Sequence, residues 1–74
     1  MIPSSTLPEF LKAKRKAVGL TQPQLAAKAG VGLRFVRDLE QGKASLRMDK
    51  VNQVLYLFGH QLGPLPLNRQ SLDQ

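Results

Sequence analysis

Cysteine and tryptophan are absent from this chain, and histidine and tyrosine occur once each among its 74 residues. Without cysteine no disulfide can form, and one histidine with no thiolate leaves no ligand set for a structural zinc ion. Long apolar runs are missing as well: none approaches the ~18–20 residues needed to cross a bilayer. The opening MIPSSTLPEF holds no basic stretch followed by an apolar core. No secretory signal is therefore expected, and the protein is expected to be soluble and cytoplasmic. Nor are the ingredients of catalysis present. Ser45 has no base or orienting acid beside it, and there is no glycine-rich phosphate loop. An enzyme is not expected, and no cofactor or small-molecule substrate is called for. Acid is scarce: five carboxylate side chains face 11 lysines and arginines, for a formal charge of +6 and a pI near 10.4. A small domain this basic usually meets a polyanion, whether DNA, RNA or an anionic membrane surface. A chain this short also builds a marginal core, and with disulfides and metal excluded, oligomerisation is the expected source of further burial.

What is present is organised around Thr21 to Gly42, TQPQLAAKAGVGLRFVRDLEQG. Thr21 is placed to cap a helix, Gln24 completes a capping box three residues on, and Pro23 sits in the first turn, where a missing N–H costs nothing. Leu25, Ala26 and Ala29 give this helix an apolar face at helical spacing. Gly30 follows as the stop, because glycine takes the left-handed conformation without a Cβ penalty. Val31 plugs the turn. Gly32 opens a second helix, with Val36 and Leu39 as its apolar stripe and Gly42 beyond its end. A turn this short makes the helices cross steeply and leaves the second protruding, with Leu33, Arg34, Arg37, Asp38 and Gln41 pointing outward. In such a unit these side chains are the ones that reach base edges in a major groove.

The flanks extend the pattern. Thr6, Pro8 and Glu9 start an earlier helix expected to run to about Val18, burying Phe10, Leu11 and Val18. Gly19 ends it, and Leu20 acts as a hydrophobic staple before Thr21. Residues 43–47 form a loop, and Met48 to Phe58 a fourth helix with Met48, Val51, Val54, Leu55 and Phe58 on one stripe. Tyr56 and Leu57 widen that stripe, so the last helix is expected to meet a partner, with Val54 and Phe58 in the contact. Prolines 64 and 66 bar a helix in HQLGPLPL, while Leu62, Leu65 and Leu67 argue against a polar tail; a short extended segment is expected. Residues 1–5 are expected to form a flexible arm and residues 68–74 a polar tail, leaving residues 6–67 as the domain.

Thr21-Gln22, Leu25-Ala26, Ala29-Gly30-Val31, Val36, Leu39-Glu40 and Gly42 together resemble the signature of the Cro/repressor-type (XRE) helix-turn-helix family. With its flanks, residues 7–67 are most similar to the HipB-type antitoxins within it. The resemblance implies an all-α, compact four-helix, lambda-repressor-like domain, with a short C-terminal strand pairing across a dimer. His60, Gln61, Leu62 and Leu65 would then join the dimer contact, with the strand ending near Gly63 or Pro64 because proline is tolerated only at a strand edge. It implies a sequence-specific, DNA-binding repressor, a homodimer on double-stranded operator DNA. It also implies the antitoxin of a HipBA-like pair that autoregulates its operon and binds a kinase-like (HipA-type) toxin. A stand-alone regulator of the same family, and a basic adaptor for an acidic protein, are the alternatives.

Each candidate side chain carries two readings. Gln22 is ordinary surface polarity or, at the position the family uses to contact phosphate and orient a partner side chain, a phosphate contact. Lys43 follows the recognition helix where the family often places a backbone contact. The cluster Lys12-Ala13-Lys14-Arg15-Lys16 is a solvated helix face near the favourable end of its dipole, or a flank touching phosphate through Lys14 or Arg15. Gly32 lacks the hydroxyl common in the family, yet leaves backbone N–H groups bare for a phosphate. Arg34 and Arg37 are solubilising charges or base readers, arginine being the commonest reader of guanine. Leu33 stands where the family often has a base-reading glutamine, and can offer only apolar contact to a thymine methyl. Asp38 accepts from cytosine N4 or pairs with Arg34 one turn earlier. Glu40 is expected to point back toward the first motif helix, and His60, with no ligand cluster near it, to be structural.

Overall fold

A computed structural model of the chain describes residues 6–66. The arm 1–5, the tail 68–74 and Leu67 lie outside the described residues. Four helices follow one another: α1 (Leu7–Ala17), α2 (Gln22–Ala29), α3 (Leu33–Gln41) and α4 (Met48–Leu57). Both expected capping boxes form. The Thr6 hydroxyl accepts from Glu9 N at 3.4 Å while Glu9 Oε1 accepts from Thr6 N at 3.3 Å. The Thr21 hydroxyl accepts from Gln24 N at 3.2 Å and Gln24 Oε1 from Thr21 N at 2.8 Å. Each box satisfies N–H groups that have no partner within the helix.

The helices pack because their apolar stripes converge. Leu11 from α1, Leu25 and Ala26 from α2, Val36 and Leu39 from α3, and Val51, Val54 and Leu55 from α4 form the buried core. Phe10, Leu20, Val31, Phe35, Phe58 and Leu62 lean against it, half-buried. Fully burying a leucine or valine side chain stabilises by roughly 1.5–3 kcal/mol, so eight core residues make a small core. α2 packs on both α3 and α4, while α1 packs on α3, so α3 is held from behind by two helices.

Two expectations change. α1 stops at Ala17, and Val18, expected to be buried, is 57% exposed. As the C-cap it follows Ala17 out of the helix, so its side chain leaves the face that Leu11 buries. Val54, expected on a partner-facing surface, is fully enclosed by its own core and has no surface to offer. Among the described residues the chain after α4 forms no strand. Residues 60–66 carry no helix, strand or turn, and they fasten to the body. His60 N donates to Leu55 O at 2.9 Å and Leu62 N to Asn52 Oδ1 at 2.8 Å. Leu62 turns inward, and the His60 ring meets the Phe10 ring edge-on at 4.9 Å.

Candidate nucleic-acid interface

The turn between α2 and α3 decides how the second helix is presented. Gly30 adopts φ 76°, ψ 30°, the left-handed conformation, and the N–H groups of Gly30 and Val31 both return to Ala26 O at 3.0 Å. The chain then reaches Gly32, whose extended backbone opens α3 with no side-chain cap. The first-turn N–H groups of α3 are therefore left for solvent or an anion, and the positive end of the helix dipole lies with them.

On α3 the alternation is clean. Val36 and Leu39 are buried, whereas Arg34, Arg37 and Gln41 are exposed. Leu33 and Asp38 are half-buried at the edges of this face. Among the described residues neither Arg34 nor Arg37 has an ion-pair partner. Asp38 does not pair with Arg34; its Oδ2 lies 3.6 Å from Lys43 Nζ, just past the helix end. That separation is long and both groups reach solvent, so the pair is a weak one.

Behind this face lies a buried polar knot. Arg15 donates from Nε to Glu40 Oε2 at 2.7 Å, from Nη2 to Glu40 Oε1 at 3.0 Å, and from Nη1 to Leu20 O at 2.8 Å. Gln22 Nε2 donates to Glu40 Oε1 at 3.1 Å. The side chains of Arg15 and Glu40 are only 10% and 3% exposed. Burial pushes the Glu40 carboxyl upward, but the hydrogen bonds from Arg15 and Gln22, with the charges of Arg15 and Lys12, outweigh it and hold the group below its ordinary range. The hydrogen bonds that Arg15 donates to Glu40 likewise raise its guanidinium against the opposing effect of burial. The knot ties α1, the start of α2 and the end of α3 together through charge-assisted, bidentate bonds.

Arg15 is accordingly corrected from a phosphate contact to an internal strut. All its donor nitrogens point inward, because Arg15 follows Leu11 by four residues and shares its core-facing side. That i, i+4 spacing to a core leucine was the available signal. Lys14 lies beside the Phe10 ring, its Nζ 5.6 Å from the centroid, half-buried rather than fully extended into solvent. Gln22 is half-buried at the rim of the knot, Gly32 is exposed at the opening of α3, and Lys43 is exposed at its far end. Among the dimer candidates, Phe58 is half-buried, Leu62 faces inward, and His60, Gln61 and Leu65 are exposed.

Two residues that sequence reasoning passed over also act here. Gln53 on α4 donates to Ala29 O at 3.2 Å and Gly30 O at 3.3 Å, and its neighbour Asn52 holds the Leu62 N–H. Their partners are 10 to 24 residues away, so no local pattern marks them. Among the described residues there is no cluster of three or more metal-ligating side chains, and no helix is long and apolar enough to cross a membrane.

Two helices joined by the short Gly30–Gly32 turn, the second with an outward-facing arginine pair, define a helix-turn-helix domain. The sequence matches the helix-turn-helix family model over residues 11–59, and the chain belongs to that family, in its Cro/repressor-type (XRE) branch. It is 53% identical over 50 residues to an uncharacterized HTH-type transcriptional regulator, y4mF, of Sinorhizobium fredii (strain NBRC 101917 / NGR234). That alignment covers 68% of this chain and 66% of the relative, just under two thirds of the relative's length.

Proposed function

We propose that the chain is a sequence-specific, DNA-binding transcriptional repressor that inserts α3 into a major groove. The observation that carries the reading is the Arg34–Arg37 face: two exposed arginines that have no carboxylate partner among the described residues, on a helix whose back is locked into the core. Arg34 and Arg37 read base edges, with Leu33 and Asp38 at the margins of the same surface. Register comes from phosphate contacts at both ends of the unit. The bare N–H groups after Gly32 take one phosphate and Lys43 another, with Lys14 on the flank. Gln22 also suits a phosphate: its amide carries two N–H protons, and Glu40 occupies one.

The working form is a homodimer, whose two α3 helices would enter half-sites about one helical turn, ~34 Å, apart. Pairing through the segment 60–66 is supported by Leu65, 85% exposed, and by the exposed His60 and Gln61, with Phe58 at its base. The narrower role of an antitoxin neutralising a kinase-like toxin rests on the resemblance to HipB-type proteins and on the helix-free segment 60–66. Copurification with a kinase-like product of an adjacent gene supports it, and a gene that stands alone favours the stand-alone regulator.

The test is a gel shift over a salt series, with a duplex enriched by this protein from a random pool and with unselected duplex. Specific binding tighter than non-specific by more than ~10³ supports the repressor. Equal, weak binding to both leaves the basic-adaptor reading in its place. Arg34→Ala should weaken binding to the enriched duplex by about 1–3 kcal/mol if it reads a guanine. Unchanged affinity refutes the assignment of α3.

A further inference from the structure

We propose that Gln53 is a positioning residue for base reading, acting through the α2–α3 turn; the proposal rests on the DNA-reading role of α3 given above. Gln53 belongs to α4, which contributes nothing to the recognition face. Yet its side-chain amide lies directly over the turn. Nε2 donates to Ala29 O at 3.2 Å and Gly30 O at 3.3 Å, and it is the nearest atom, at 3.5 Å, to where a Cβ on Gly30 would stand. The two acceptors are the last carbonyl of α2 and the carbonyl of its left-handed cap, groups that have no N–H partner within the helix.

Three residues beyond Gly30 α3 begins, with no side-chain cap of its own. The backbone from Ala29 to Gly32 therefore sets the direction of α3, and Gln53 holds it from outside. At the other end of α3 the Arg15–Glu40–Gln22 knot performs the corresponding task. A helix fixed at its C-terminal end but released at its turn keeps its core contacts and pivots slightly. Arginines that must meet guanine O6 and N7 together tolerate such a pivot poorly, whereas phosphate contacts made by long side chains absorb it. Gln53 itself is exposed, so its hydrogen bonds contribute little to stability. The mark of positioning is thus a loss of discrimination without a matching loss of general DNA affinity.

The experiment compares wild type, Gln53→Met, which keeps length but removes the donor, and Gln53→Lys, which restores a donor to the two carbonyls. Each is titrated on the enriched duplex and on unselected duplex of the same length, with folding verified by circular dichroism. Gln53→Met is expected to lower the specific-to-unselected affinity ratio about 5–10-fold while unselected binding stays within about 2-fold, a loss equivalent to one weakened base contact. Gln53→Lys is expected to return the ratio toward wild type, its added charge strengthening both duplexes alike. A ratio unchanged in Gln53→Met, or equal losses on both duplexes, overturns the proposal in favour of simple helix capping. If wild type enriches no duplex, the DNA-reading role has failed first, and the proposal falls with it by a result distinct from either.

Discussion

Removing the Glu40 carboxylate should destabilise this domain more than removing any exposed charge. Glu40→Ala leaves Arg15 with its Nε and Nη2 donors unmatched and its charge uncompensated at a side chain only 10% exposed. Breaking one partner of a buried pair costs about 3–5 kcal/mol. At ~0.05–0.15 kcal/mol per residue, a 74-residue chain has about 4–11 kcal/mol in all. The loss is therefore between about a quarter and the whole. With a urea slope of ~1 kcal/mol/M, the midpoint should fall by roughly 3–5 M or the variant should be unfolded without urea. The double variant Arg15→Met/Glu40→Leu should recover most of the loss, since well-packed apolar replacements of a buried pair are often neutral or better. Acid provides an independent check. The folded carboxyl lies below its ordinary value, so its contribution is complete above about pH 4.3 and is lost as pH falls through the lower folded value. Glu40→Gln should lack that acid limb. A Glu40→Ala cost under ~1 kcal/mol, the size expected of an exposed pair, would refute the reasoning.

Two further variants separate local from global contributions. Thr21→Ala removes the α2 capping box while leaving the core intact, and should cost about 1 kcal/mol, read as a lowered thermal midpoint with an unchanged unfolding slope. Leu25→Ala opens a cavity at a fully buried site under both α3 and α4 and should cost about 2–5 kcal/mol by urea unfolding; a cost below 1 would show that the core collapses around it.

Much of the fold was legible because it is written in short-range rules. The Thr6 and Thr21 capping boxes, the stop at Gly30 and the Val36–Leu39 stripe all concern residues within four of one another, and each forms as expected. The failures share one cause. Val18 lies one residue beyond the helix whose periodicity placed it inside. Val54 satisfied the apolar pattern, but a pattern does not distinguish a face turned to its own core from one turned to a partner. The absence of a helix in residues 60–66 was anticipated from Pro64 and Pro66, whereas the attachment of this segment to Asn52 depends on a residue ten positions earlier. Within the candidate site, the composition of α3 announced Arg34 and Arg37, and nothing local announced Gln53.

Arg15, Arg34 and Arg37 show why residue type alone could not sort the site. All three are arginines on helices that meet in the same corner. What differs is helical phase: Arg15 shares the face of Leu11 and finds Glu40 there, while Arg34 and Arg37 lie off the Val36–Leu39 stripe and, among the described residues, have no carboxylate partner. Arg15 commits donors on all three of its nitrogens, two to the Glu40 oxygens and one to Leu20 O, at a side chain only 10% exposed. A guanidinium without a partner keeps its five donors for whatever enters the groove. The scarcity of acid noted at the outset thus acquires a structural consequence. Of the five carboxylate side chains in the sequence, Asp73 lies outside the described residues; among the other four, Glu40 is committed to Arg15, Glu9 to its cap, Asp49 to Arg47 and Asp38 loosely to Lys43, and none of the four pairs with Arg34 or Arg37. The positive charge is left where α3 protrudes, on a surface the core holds rigid from behind.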